Sequence, residues 1–363
     1  MAFEAVGYRI GNTKVELKWI DEESDPQKAV TNYLEAVVRD QIEVGCLNWH
    51  SSVAVAVMEV TARYKIPHFF GMAATDVVNE KYRSDPVRYS YWMAKGWPAP
   101  SKLTLAYVKA LQDAIERGAW NPPAKTVAIW GEDTDWGRAF GRAIRDQLQA
   151  YGWTTVAEEY FPLGETDFYP LLLKFKNLRV ALLAGTSTSP PSLSSFIKQA
   201  REVGLQSLIV ADGLGWVGEW YSLTGDASDY VLDQIPGWMT PKAKQFAADF
   251  ETRWGLKPSP AVAGLSYDYT NFFIHIARRA LEKYGRLDRN TLYLVGRDEV
   301  MTGEMSYSDG VIMREYRYTR ETAPDPVVGQ GEYIFPVRQY EHGVSKVIWP
   351  EAWKEADLEI RQQ

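Results

Sequence analysis

Short apolar runs rich in β-branched and aromatic residues alternate with amphipathic stretches along almost the whole chain, and this order constrains the fold more than any other feature. Strands that alternate with helices build parallel α/β layers. KVELKWIDEES reads as a strand, and DPQKAVTNYLEAVVRDQ as a helix opened by an acidic cap and a proline. IEVGCLNW is the next strand, SVAVAVMEVTARYK a helix and IPHFFG a strand again. A stretch rich in Tyr, Trp and Pro, from about Arg83 to Pro100, reads as disordered, and a periodic helix follows over Ser101 to Arg117. GAWNPPAK is the first clear linker.

Beyond that linker the alternation restarts, as for a second sheet. KTVAIWGED, TTVAEEYF, RVALLAGT and SLIVADG read as strands, separated by the helices GRAFGRAIRDQLQAYG, FYPLLLKFKN and SLSSFIKQAREVG. YVLDQIPGW is a strand ending in Pro-Gly turn chemistry. Two helices follow, PKAKQFAADFETRWG and SYDYTNFFIHIARRALEKYG, and GEYIFPVRQYEHGVSKVIWP closes the sequence as a hairpin turning at His342-Gly343. With 363 residues, 46% hydrophobic and 24% charged, the chain is too long for one small core and is expected to form two lobes.

Composition also narrows the function. The net charge of -7 comes without the basic stripe that a phosphate backbone requires, so nucleic acid is not an expected partner. The single cysteine, Cys46, excludes an intramolecular disulfide and a multi-cysteine metal site, and its apolar strand predicts a buried, inert thiol. No apolar run reaches the ~18 residues of a membrane span. MAFEAVGYRI lacks the basic-then-apolar pattern of a signal peptide.

Two stretches carry the most functional information. GCLNWHSS, from Gly45 to Ser52, and FFGMAATD, from Phe69 to Asp76, each begin as a strand and break into small or hydroxyl-bearing residues. Ligands bind outside the carboxyl ends of strands in open α/β sheets, so both loops are expected to face one site suited to a small anion. SS and TD equally fit ordinary helix capping.

Catalytic chemistry finds little support. Gly213-Leu-Gly215-Trp-Val-Gly218 follows a strand and matches GxGxxG, which keeps an NAD-dependent dehydrogenase as a competitor, but the bulky Trp216 sits inside the loop and GDASD interrupts the helix that should follow. The histidines His50, His68, His275 and His342 have no metal-ligand spacing, and no GxSxG elbow is present. His50 beside Ser51 suggests a base and nucleophile, yet no third orienting group is identifiable. Glu132, Asp133 and Asp135 read as a solvated strand-to-helix loop rather than a glycosidase carboxylate pair.

The order KVELKWIDEESDPQKAV, GCLNWHSSVAVAV, FFGMAATD, KTVAIWGEDTDWGRAF, VALLAGTSTSPPSLSSFIKQAREVG, SYDYTNFFIHIARRAL and EHGVSKVIWP resembles the type I periplasmic binding proteins. The group most resembled is the leucine/isoleucine/valine-type substrate-binding component of ABC transporters. The resemblance implies an α/β fold of two doubly wound parallel-sheet lobes joined by three crossovers, with 1–122 plus 239–325 in lobe one and 123–238 plus 326–363 in lobe two. It implies no enzyme activity and no cofactor or metal. The protein would be a monomer at the periplasmic or outer face, delivering an amino acid, amide or aromatic acid to a membrane permease as its lobes close. A sensory binding module of the same fold is the alternative.

Site residues follow from the same resemblance. Taking Asn48-Trp49-His50 as a local insertion, Ser51 matches the family serine that grips the ligand carboxylate, and Thr75 matches the threonine of Ala73-Ala74-Thr75, whose backbone also contacts the ligand. Asp212 matches the acidic residue that takes the ligand ammonium, with Asp where leucine-type proteins commonly have Glu. Trp136 and Thr186 fall where tyrosines often lie near the ligand. Trp49, His50 and Trp216 in neighbouring loops make the pocket more aromatic than a simple aliphatic site. AFEAVGYRI resembles the remnant of the family's first helix, so the central strand of lobe one and an export signal are expected upstream.

Overall fold

A computed structural model describes every residue except 217, 219, 330, 331, 333, 334, 362 and 363. The chain folds as two compact units, Met1–Ala99 with Ala263–Ile334 and Pro100–Val262 with Phe335–Gln363, and passes between them three times. These changeovers differ from the expected 122/123, 238/239 and 325/326. Helices expected in the first lobe pack with the second instead, and Pro122-Pro123 and Pro236-Gly237 lie in irregular segments inside that second unit.

The first unit opens with α1 (Ala2–Ala5) and a small hairpin of β1 (Arg9–Ile10) and β2 (Thr13–Lys14). Helix α2 (Pro26–Val38) starts where the sequence predicts, because the Asp25 carboxylate accepts from the Gln27 and Lys28 N–H groups and Pro26 occupies the first turn. It is followed by β3 (Gly45–Cys46), α3 (Ser51–Tyr64), β4 (His68–Phe69), α4 (Asp76–Ser84) and β5 (Trp92–Met93), the strands forming a parallel sheet in the order β3-β4-β5. Tyr33, Val37, Val53, Val57, Met58, Ile66 and Trp92 cluster as its core.

Two expectations fail here. KVELKWIDEES contributes only its first residue, Lys14, to a strand, and residues 15–20 have no ladder, since a strand exists only where a neighbour pairs with it. The stretch read as disordered is ordered: residues 92–100 are all buried, and Trp92 stacks on His68 with ring centroids 4.2 Å apart. Aromatic residues that lack helix or strand periodicity have found a core to fill.

The second unit begins with α5 (Pro100–Glu116), which lies on α6 (Asp135–Ala150). Between and after them run β6 (Thr126–Glu132), β7 (Thr154–Phe161), α7 (Tyr169–Leu178), β8 (Leu182–Thr186), α8 (Pro190–Glu202), β9 (Leu208–Asp212), α9 (Trp220–Thr224), β10 (Val231–Gln234) and α10 (Pro241–Trp254). Helices α11 (Leu265–Tyr284) and α12 (Arg289–Val295) return to the first unit. The hairpin β11 (Val337–Glu341) and β12 (Val344–Trp349) completes a seven-stranded sheet, β12-β11-β10-β9-β8-β6-β7, antiparallel only at β10-β11-β12. His342 and Gly343 turn it at φ 46° and 77°, as a two-residue hairpin demands, while residues 331, 333 and 334 of the predicted hairpin lie outside the described residues. Trp130 stacks on Phe196 at 3.9 Å in the core of this unit.

Candidate functional site

In the first unit β3 and β4 run parallel in the register Gly45↔His68 and Cys46↔Phe69, so the segments leaving their carboxyl ends lie side by side. The Met72 N–H donates to the Asn48 carbonyl at 3.1 Å, and the Thr75 N–H to Ser51 Oγ at 3.3 Å. The two loops singled out in the sequence are thus brought together. Ser51 is the first residue of α3, and Thr75 caps α4, its Oγ1 accepting from the Val77 N–H at 3.3 Å. Both are buried with Ala73 and Ala74, so the starts of the two helices, the positive ends of their dipoles, meet at this spot.

Behind the loop is a charged group that sequence reasoning missed. Lys95 is fully buried, its Nζ 3.0 Å from Asp325 Oδ1 and donating to Asn79 Oδ1 at 2.5 Å and to the Ala74 carbonyl at 3.4 Å. Asp325 also accepts from the Asn79 side chain and the Ala99 N–H. A buried ion pair is tolerated when its remaining lone pairs and protons are bonded, as here. Its only sequence signal was a lone lysine in the apolar run WMAKGW.

Trp49 meets Trp97 edge to face at 6.3 Å. His50 precedes α3 and places its ring Nε2 2.9 Å from Ser24 Oγ, while its backbone N–H donates to Glu22 Oε1 at 3.3 Å. Burial raises the Glu22 carboxyl despite that bond. The ring of His50 therefore has its hydroxyl contact with Ser24. Cys46, expected to be buried, is exposed instead.

In the second unit, Trp136, Thr186 and Asp212 come together at the carboxyl ends of β8 and β9. The Trp136 indole N–H donates to Thr186 Oγ1 at 3.0 Å, and Thr186 Oγ1 donates to the Asp212 carbonyl at 2.9 Å. All three are buried, and the Trp136 ring lies 6.0 Å from that of Trp216. Asp212 Oδ2 accepts from the Tyr107 hydroxyl at 2.9 Å, whereas its buried Oδ1 has no partner among the described residues. Burial, reinforced by the charge of Asp233, drives the Asp212 carboxyl well above the usual range.

Asp233 differs from Asp212 in being fully bonded. It accepts from the Gly213, Gly215 and Gln234 N–H groups and from the Tyr340 hydroxyl at 2.6–2.9 Å, and burial raises it as well. Those bonds consume the N–H groups of Gly213 and Gly215 that a dinucleotide phosphate would need, and the helix beyond is only Trp220–Thr224; Val217 of this motif lies outside the described residues.

The acidic loop needs correction. Glu132 is completely buried and accepts from Thr134, Ser187 and Thr188 hydroxyls and from the Thr188 N–H. Asp133, ion-paired with Arg138, is exposed as expected, and Asp135 is half-buried at the start of α6.

Two α/β lobes with three chain crossings, hydroxyl groups and helix starts gathered at strand ends in one lobe, and a part-satisfied buried carboxylate in the other, define a small-molecule binding protein. The chain belongs to the periplasmic binding protein family, whose model matches residues 1–324. It is thereby a non-catalytic solute-binding protein. Among solved structures it is similar to an extracellular ligand-binding receptor from Rhodopseudomonas palustris, with TM-score 0.76 and 18% identity over 93% of this chain and 91% of that one. It is also similar to a leucine-binding protein from Thermotoga maritima, with TM-score 0.73 and 18% identity over 95% and 90%. A third relative is an ABC-transporter solute-binding protein from Rhodopseudomonas palustris in complex with 3,4-dihydroxybenzoic acid, with TM-score 0.70 and 19% identity over 94% and 86%. Among the described residues no helix is long and apolar enough to cross a membrane.

Proposed function

We propose that this protein captures an amino acid or a related small carboxylate outside the cytoplasm and delivers it to the membrane permease of an ABC transporter. The observation that carries this reading is the junction of Ser51 and Thr75 at the starts of α3 and α4, where hydroxyls and helix N–H groups converge. A carboxylate placed there gains several charge-assisted bonds and the favourable ends of two helix dipoles. Ala73 and Ala74 add little side-chain bulk beside that junction. From the second lobe Asp212 offers an oxygen without a partner among the described residues, which an ammonium would satisfy. A ligand gripped by groups from both lobes would favour the form in which they meet, and that form would be presented to the permease.

Trp136, whose N–H is bonded to Thr186, contributes an indole surface rather than a hydrogen bond, and Thr186 serves to hold Trp136 and Asp212 in place. The indoles of Trp49, Trp97, Trp136 and Trp216 support a second reading, an aromatic acid, and one structural relative was solved with 3,4-dihydroxybenzoic acid. His50 is a loop neighbour in either case.

Thermal shifts measured with branched-chain amino acids, their deaminated acids and hydroxybenzoates separate the readings, since a ligand that binds only the folded state raises Tm by mass action. Amino acids are expected to give the largest shift, and Asp212→Ala is expected to abolish it while sparing the deaminated acids. If Asp212→Ala weakens both classes equally, the ammonium role falls. A shift with hydroxybenzoates alone transfers the site to aromatic acids, and a shift with NAD alone removes the receptor reading.

A further inference from the structure

Lys95 is tied down at its backbone before its side chain makes any contact. Its N–H donates to the Pro324 carbonyl at 2.7 Å, and its carbonyl accepts from the Tyr318 hydroxyl at 2.8 Å. From that fixed root the fully buried side chain runs behind the loop that ends in Thr75. Its Nζ lies 3.0 Å from Asp325 Oδ1 and donates to Asn79 Oδ1 on α4 and to the Ala74 carbonyl at 3.4 Å. Holding a fold together does not require such a charge, since a buried ion pair is often replaced by neutral residues at little cost. What no neutral residue supplies is the contact of an ammonium with that carbonyl.

The Ala74 carbonyl belongs to the peptide whose N–H is on Thr75. This peptide bond is trans, so its C=O and N–H point in opposite directions across one rigid plane. On one side the carbonyl accepts from Lys95, and on the other the N–H donates to Ser51 Oγ at 3.3 Å. A hydroxyl that has accepted one bond still carries a proton to donate. Ser51 is 5% exposed, and among the described residues its Oγ has no acceptor for that proton.

We propose that Lys95 is a positioning residue for carboxylate recognition: its ammonium fixes and polarises the Ala74–Thr75 peptide, which turns the Ser51 hydroxyl into a donor to an anionic ligand. The inference rests on the reading of the Ser51 and Thr75 junction as the seat of a carboxylate. Donation to the carbonyl makes the Thr75 N–H a stronger donor, and donation from that N–H does the same for the Ser51 O–H, each bond strengthening the next by about 10–30%. The last bond of the chain ends on a charge, where hydrogen bonds are strongest. Lys95 also blocks the flipped peptide plane, in which the Ala74 carbonyl oxygen would face the anion and repel it. Lys95 touches no ligand in this arrangement. It acts on charge, so a carboxylate gains from it and the corresponding uncharged amide gains far less.

The test is calorimetric titration of L-leucine, 4-methylpentanoate and 4-hydroxybenzoate, each beside its primary amide, into the full chain, into Ser51→Ala and into Lys95→Met combined with Asp325→Asn. Met keeps most of the lysine stem, and an amide at position 325 can pair with that of Asn79 while still accepting from the Ala99 N–H. The doubly substituted protein is therefore expected to melt close to the parent. Its ratio of acid to amide affinity is expected to fall about tenfold, the equivalent of ~1.4 kcal/mol. Equal losses for acid and amide would make Lys95 a purely structural group and overturn the proposal. An unchanged acid affinity in this protein, with Ser51→Ala weakened, would overturn it too and leave the carboxylate seat standing. If Ser51→Ala is unchanged as well, or none of the acids binds the parent, the seat falls and the proposal with it. A measurement on the unsubstituted chain keeps the question decidable should the charge-free protein not fold. The Lys95 Nζ protons, held from solvent by burial, are expected to shift in ¹H–¹⁵N spectra when the acid binds and to stay in place with the amide. Signals that do not respond to a bound acid would overturn the proposal.

Discussion

His68 and Asp268 show how single buried groups tie the first lobe to pH. The His68 ring lies against Trp92, with Nδ1 3.1 Å from the Tyr33 hydroxyl and Nε2 2.8 Å from the Leu47 carbonyl, and burial holds it down at about 4. An unfolded histidine titrates near 6.5, so the unfolded chain binds the extra proton between those values and stability is lost as pH falls through them, by roughly 3 kcal/mol in full. Asp268 runs the other way: burial raises it to about 6 although Val311, Ile312 and Tyr316 donate to it, so the folded chain binds the extra proton and stability falls as pH rises from ~4 to ~6. Urea unfolding at pH 7 and pH 5 is expected to show less acid destabilisation in His68→Gln than in the parent, and more in Asp268→Asn. Unchanged differences in both variants would mean that neither group titrates on folding in this range. Thr75→Ala is expected to cost about 1 kcal/mol of stability through the lost cap and to remove carboxylate-induced thermal shifts that Thr75→Ser retains. Ser51 and Thr75 were legible because a hydroxyl before a helix is a local signal. Glu132 was not, because its burial depends on Thr188, 56 residues away.

Among the elements, β7 was read over its full length because TTVAEEYF is rich in β-branched and aromatic residues, and α2 because its cap, proline and apolar stripe agree. The fully buried strands β8 and β9 came from their continuous apolar runs. Gly185 shows what such a run conceals: a Cβ there would lie 2.1 Å from the Trp130 carbonyl, so β6 and β8 meet through bare backbone. Gly185→Ala is therefore expected to destabilise the second lobe by about 1–3 kcal/mol or more, seen as a lower urea midpoint. An unchanged midpoint would show that β6 and β8 can separate freely. Residues 15–20 failed as a strand although their alternation is good, since propensity forms no ladder without a neighbour.

For the whole molecule, the separate cores around Tyr33 and Trp92 and around Trp130 and Phe196 give each lobe the attributes of a domain. Hydrogen exchange followed by mass spectrometry across a urea series is expected to resolve two unfolding transitions, with Gly185→Ala moving only the one that exposes the second lobe. A single transition shifted as a whole would show that the lobes unfold together. The boundaries were misplaced because Pro-rich turns mark where a chain bends, not which core its next helix joins. Tyr107 on α5 bonds Asp212 and packs edge to face on Phe140, contacts more than thirty residues away in sequence, and these place α5 in the second lobe.

Periodicity and capping chemistry, which act over a few residues, were enough to determine the α/β alternation, the hairpin at His342-Gly343 and the two hydroxyl-bearing loops. Tertiary structure decided what depends on distant partners: the buried Lys95–Asp325 pair, the unequal bonding of Asp212 and Asp233 and the burial of Glu132. Burying a charge or pairing a strand edge is settled by groups that only folding brings near, so local sequence carries no record of it.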